Sequence, residues 1–126
     1  MQEENQNQEE VVIKKSNLIN FDEFKKIEIK VGRILSAEKV PDTDKLLKLS
    51  VDMGEETPRQ IVSGISLYFP DCSVLVGQKC MFVANLETRV IKGLESQGMI
   101  FAVSTEDGKF SLVKPGDDIP AGTLAK

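Results

Sequence analysis

Ile27-Glu28-Ile29-Lys30-Val31-Gly32-Arg33-Ile34-Leu35 opens with strict alternation of apolar and charged side chains, the two-residue period of a strand with one buried face. Ile27, Ile29 and Val31 share the side expected to meet a core, Glu28 and Lys30 the side expected to meet water. Gly32 interrupts the pattern. A glycine inside a strand marks a bulge or a sharp bend, the device that curls a sheet toward a barrel. Lys30 and Arg33 point to opposite faces of a regular strand. A bulge at Gly32 would turn both outward together; otherwise they are two solvated charges on a barrel exterior.

Upstream, Asn20 precedes Phe21-Asp22-Glu23-Phe24, with acids placed to complement a helix start, so one helical turn is expected across 21–26. Downstream, Pro41-Asp42-Thr43-Asp44 makes a turn before KLLKLSVDM, a second strand. A turn across 54–58 leads to RQIVSG, a third. Residues 65–78 suit a brief helix and loop, KCMFVAN is a fourth strand, GMIFAV a fifth, and KFSLV a short addition. Short strands joined by Gly/Pro turns, with little helix, describe a small all-β barrel. The OB-fold, a five-stranded barrel that mostly binds oligonucleotides or oligosaccharides, is the expected form, although SH3-like barrels share these signals. Short helical turns and a loop-rich C-terminal extension, rich in Pro115, Gly116, Pro120 and Gly122, complete it. Residues 1–17, polar and rich in Gln and Glu, are expected to be a disordered acidic tail in which Val11-Val12-Ile13 has packing potential. The folded domain is expected over 18–126.

The sequence has 126 residues, 40% apolar and 29% charged, values of an ordinary globular domain. It contains no histidine and two cysteines. A Ser-His-Asp triad, a Cys-His pair and any histidine-containing zinc site are thereby excluded, and an all-thiolate zinc site needs four cysteines. No cofactor and no metal are expected. Cys72 and Cys80 are expected as reduced, buried thiols. No apolar run approaches the roughly 20 residues of a membrane span, and MQEENQNQEE lacks the layout of a secretory signal, so a cytoplasmic location is expected. The net charge is −4, yet Glu3, Glu4, Glu9 and Glu10 carry the whole imbalance; removing them leaves 16 acidic and 16 basic residues. A broad basic surface is excluded, while a compact basic patch is permitted.

Three further stretches carry candidate chemistry. PDTD resembles a calcium loop only in its acids; it lacks the ligand count of such a site, and turn chemistry explains it better. Asn85-Leu-Glu-Thr-Arg89-Val-Ile-Lys92-Gly93-Leu-Glu-Ser96-Gln97-Gly98-Met99 places amide, hydroxyl and cationic groups between two apolar strands. Arg89 and Lys92 are spaced to face phosphates, and Asn85 and Ser96 to bond sugar or base edges; a plain polar β-loop is the alternative. Arg59-Gln60-Ile61-Val62-Ser63-Gly64 lies at a strand end, where Ser63 and Gly64 are expected to border the same groove as this loop. With one Tyr, six Phe and no Trp, Tyr68 and Phe101 are the only candidates for base stacking. A platform of the kind that grips single strands at about 1–3 kcal/mol per base is disfavoured, and recognition of a folded RNA by its backbone fits better.

IEIKVGRILSAEKVPDTDKLLKLSVDMG, RQIVSG and VANLETRVIKGLESQGM, in that order, resemble the tRNA-binding domain appended to many bacterial methionyl-tRNA synthetases and found as a free dimeric tRNA-binding protein. The resemblance covers about residues 19–126. It implies a non-catalytic OB-fold that holds the outer corner of L-shaped tRNA, works as a homodimer and is associated with or derived from a methionyl-tRNA synthetase. By residue, it implies that Lys30, Arg33, Lys45, Arg59, Ser63, Gly64, Asn85, Arg89, Lys92, Ser96 and Met99 form the tRNA-binding set. Lys30 stands where the family usually carries Arg, keeping the charge and losing the bidentate fork. A peptide-binding export chaperone of the CsaA type shares the barrel and dimer plan and is the alternative reading. A dimerisation unit without RNA contacts is a third.

Overall fold

The computed structural model describes residues 17–126. The expected acidic tail, with Val11-Val12-Ile13, falls outside the described residues except for Asn17. Asn20 caps the first element: its Oδ1 accepts from the Glu23 amide at 2.8 Å while Glu23 Oε1 accepts from the Asn20 amide at 3.0 Å. This reciprocal box satisfies two otherwise orphaned donors and starts α1 (Phe21–Lys25). The helix buries none of its residues.

The strands are β1 (Ile29–Lys39), β2 (Leu47–Asp52), β3 (Arg59–Ser63) and β4 (Lys79–Val83), followed by β5 (Arg89–Ile91), β6 (Leu94–Ser96) and β7 (Met99–Ile100). Two 3-10 turns, Ser66–Tyr68 and Cys72–Leu75, bridge β3 and β4. Five strands form one antiparallel sheet in the order β3-β2-β1-β4-β7. Its β3 edge curls round to the β6–β7 connection, where the Gln97 amide donates to the Gln60 carbonyl at 2.8 Å. The result is a nearly closed all-β barrel of OB-like form. Leu47, Leu49 and Val51 of β2 line its interior with Ile34, Ile61, Leu75, Phe82 and Ile100. Burying each such side chain contributes about 1.5–3 kcal/mol.

The phase of β1 differs from expectation. The core side carries Gly32 and Ile34, whereas Ile27 is 46% exposed and Val31 is buried outside the main cluster. A Cβ at position 32 would lie 2.6 Å from Val51 Cγ1 and 2.7 Å from the Phe82 ring, so the glycine serves a close internal approach. Pairing of β1 with β4 runs without a break through residues 29–33, and the register shift lies between Ile34 and Ser36. No bulge at Gly32 brings Lys30 and Arg33 to one face.

GMIFAV divides at Phe101, whose amide donates to Met81 and whose carbonyl accepts from Val113. β8 (Ala102–Ser104) then pairs with β9 (Phe110–Leu112) in a separate hairpin. The loop-rich extension returns to the barrel. Lys79 Nζ donates to the Asp117 and Ile119 carbonyls, each at 2.9 Å, and Gly122–Ala125 runs along Ile29–Val31. That segment occupies the side of β1 that β2 pairs with only from Arg33 onward. Both cysteines are free; Cys80 is buried, its thiol pKa raised by burial, and Cys72 is half-buried. Among the described residues no helix is long and apolar enough to cross a membrane.

Candidate functional site

The stretch between β4 and β7 is an organised hairpin. Arg89 pairs with Ser96, Val90 with Glu95 and Ile91 with Leu94. Lys92 and Gly93 form the two-residue turn with φ of 51° and 81°; two positive values in succession are what a tight hairpin matching strand twist requires. The turn holds Lys92 at an exposed tip, and Arg89 is exposed on the strand behind it. Among the described residues neither forms an ion pair, nor do Arg33 and Lys45.

Asn85 and Ser96 have partners within the protein. Asn85 Oδ1 accepts from the Glu28 amide at 2.8 Å and its Nδ2 donates to the Lys26 carbonyl, joining the α1–β1 junction to the hairpin. Ser96, 3% exposed, accepts from the Val62 amide at 2.9 Å and donates to the Gly98 carbonyl at 3.1 Å. Its hydroxyl replaces a ladder bond at the seam between β3 and β6. Gln60 and Gln97, neither of them singled out in the sequence, complete that seam: the Gln60 amide donates to Gln97 Oε1 at 2.9 Å and Gln60 Nε2 to the Glu95 carbonyl at 2.8 Å.

Arg59 is the most connected side chain at this end of the barrel. Its Nε and Nη2 donate to the two Glu55 carboxylate oxygens at 2.9 and 2.7 Å. Its Nη1 donates to the carbonyls of Ala84 and Gln97, the latter at 3.0 Å. Lys30 approaches the same carboxylate at 3.8 Å. The hydrogen bond from Arg59 holds the Glu55 carboxyl below its ordinary pKa, and the same bond raises that of Arg59. Glu55 also escaped notice in the sequence. Its spacing to Arg59 was the one available signal, and in a turn that spacing carries no helical pairing rule.

The other expected residues divide. Numbers run oppositely along the β3–β6 seam, with Ser96 against Val62 and Gln97 against Gln60, so the hairpin extends toward the Ser63–Gly64 end of β3. Lys45 lies there too, its carbonyl accepting from Ser66 at 2.9 Å. Gly64 is open, with nothing within 4 Å of a built Cβ. Met99 is exposed beside Val83. Arg33 stands apart: its neighbours across the sheet are Asp52 and Lys79, by the C-terminal extension. Tyr68 lies flat on Phe110 with ring centroids 4.0 Å apart, and Phe101 is half-buried.

Residues 29–124 match the family described as "Putative tRNA binding domain". The chain belongs to that tRNA-binding domain family. Among curated relatives of the domain, the methionine–tRNA ligase of Lactococcus lactis is 48% identical over 107 residues, covering 84% of this chain and 16% of the ligase. That of Bacteroides fragilis is 44% identical over 108 residues, 86% of this chain and again 16% of the ligase. The chain thus spans about a sixth of these relatives. In solved structures, a methionyl-tRNA synthetase-related protein from Pyrococcus horikoshii superposes with TM-score 0.80 at 43% identity, covering 87% of this chain and 99% of that one. The chaperone CsaA from Bacillus anthracis gives 0.75 at 25% identity, covering 86% and 99%.

Proposed function

We propose that the domain binds the outer corner of tRNA by its backbone shape and catalyses no reaction, serving a methionyl-tRNA synthetase in the cytoplasm. The family match over nearly the whole barrel carries this reading. The presentation of Arg89 and Lys92 on a paired hairpin, toward the end that holds Lys45, Ser63 and Gly64, supports it. These cations meet phosphates, Lys30 adds positive charge beside Glu55, and Gly64 lets a sugar–phosphate chain approach the backbone closely. Met99 offers an apolar rim to a ribose. Asn85 and Ser96 act through the loop they hold.

The domain also pairs with a second copy of itself in this reading. Leu18 (71% exposed), Ile19, Phe21 (69%), Phe24 and Ile27 are exposed apolar side chains on and around α1, and apolar groups clustered along one exposed segment offer an interaction face.

Filter binding of tRNA and of unstructured RNA of equal length, titrated across salt, tests the RNA assignment. With about three phosphates neutralised, the slope of log K against log salt is expected near −2 to −3, with tRNA bound more tightly. Equal binding of both RNAs overturns recognition by shape. The CsaA likeness supplies the second reading: suppression of unfolded-protein aggregation without tRNA binding would replace the first.

A further inference from the structure

The family resemblance implies that Arg59 is among the cations that touch RNA. Its hydrogen bonds assign it another task. A guanidinium has five N–H donors in a fixed planar fork, and four are spent inside the protein: two on Glu55, one on the Ala84 carbonyl and one on the Gln97 carbonyl. The side chain is only 21% exposed. Ala84 is the residue immediately before Asn85, and Gln97 the residue immediately after Ser96. One nitrogen, Nη1, therefore grips both feet of the segment that carries Arg89 and Lys92.

We infer that Arg59, braced by Glu55, is a positioning residue that clamps the two feet of the 85–96 hairpin segment and so sets where its cations meet RNA. The inference rests on the reading that this segment contacts tRNA. The clamp requires the fork. Nε and Nη2 fix the guanidinium plane against the Glu55 carboxylate, which leaves Nη1 aimed at two carbonyls that come from different strands' ends. Lysine keeps the charge but cannot hold these four acceptor oxygens with one planar group. A positive charge that neutralised a phosphate would behave oppositely, since lysine would replace it and its removal would lower the salt dependence.

The test measures tRNA and unstructured-RNA binding across salt for the whole chain, for Arg59→Lys, and for Arg89→Ala with Lys92→Ala, at a temperature where circular dichroism shows each folded. Arg59→Lys is expected to weaken tRNA binding about tenfold, the size of one lost charge-assisted hydrogen bond. The same variant is expected to leave the salt slope unchanged and to reduce the preference for tRNA over unstructured RNA. The Arg89/Lys92 double variant is expected to lower the slope by about 0.7–0.9 per charge removed. Amide exchange at Ile91 and Leu94, the hydrogen-bonded pair flanking the hairpin turn, is expected to quicken in Arg59→Lys alone. If Arg59→Lys does not fold, Glu55→Gln, which leaves the arginine charged and loosens its brace, carries the same expectations. Wild-type affinity and selectivity in both Arg59→Lys and Glu55→Gln overturn the inference. So does an Arg59→Gln variant whose slope falls by about one phosphate's worth. Absence of tRNA binding in the unaltered chain overturns the functional reading itself and the inference with it.

Discussion

At the scale of single residues, the carboxylate of Glu55 ties stability to pH. Its folded pKa lies below the ordinary 4.5, chiefly because Arg59 hydrogen-bonds to it. A depressed carboxyl pKa means that the unfolded chain takes up the proton first as acid is added. The contribution is therefore complete above the ordinary value and drains as pH falls toward the folded one. Urea unfolding of the unaltered chain and of Glu55→Gln is expected to show a constant gap near neutrality that closes below about pH 4.5. A gap that widened with acid would assign the pair the opposite sign. Glu55 and Lys30 are both partly solvated, with 35% and 19% of their side chains exposed, so salt is expected to narrow the gap as well. Gly32 teaches a different lesson about single positions. Glycine contributes nothing to an apolar count, so the alternation around it read one residue out of phase. Only the nearness of Val51 and Phe82 reveals that its bare Cα faces the core.

At the scale of elements, the β5–β6 hairpin joins fold and proposed function, and its turn is the weakest link. Gly93 has a φ of 81° with open space around its Cβ, so a substitution there meets backbone strain alone. Gly93→Val is expected to destabilise by about 1–2 kcal/mol, the cost of a left-handed backbone for a side chain of that shape. It should weaken tRNA binding more than it lowers the melting temperature of the barrel, as measured by filter binding beside thermal unfolding. The strands of the barrel were legible because β2 alternates cleanly and β4 opens the apolar run Cys80-Met81-Phe82-Val83-Ala84. This hairpin was not. Its strands have three residues each, below the length at which periodicity can be recognised, and Lys-Gly is a weaker turn signal than Asn-Gly. The division of GMIFAV was equally hidden, because Phe101 is turned aside by bonds to Met81 and Val113 far away in sequence. Asn85, Ser96 and Arg59 stand in the sequence as polar residues expected to contact tRNA. Their partners at Lys26, Val62 and Ala84 lie on other strands or loops, and no local pattern reports such contacts.

At the scale of the molecule, the uncovered face of α1 and its flanks predicts the assembly. Phe21→Asp combined with Phe24→Asp is expected to convert a dimer to a monomer in light scattering while leaving the barrel's unfolding transition in place, since no residue of α1 is part of the buried core. A monomeric parent would remove the self-association reading and leave the RNA reading standing. The return of Gly122–Ala125 to the side of Ile29–Val31 bears on how the chain comes to be folded. The hydrogen-bonding groups on that flank of β1 are synthesised well before the segment that satisfies them. Throughout that interval the nascent chain offers a bare strand border to any stranger with a matching ladder. Its safety from aggregation thus depends on how soon that later segment follows.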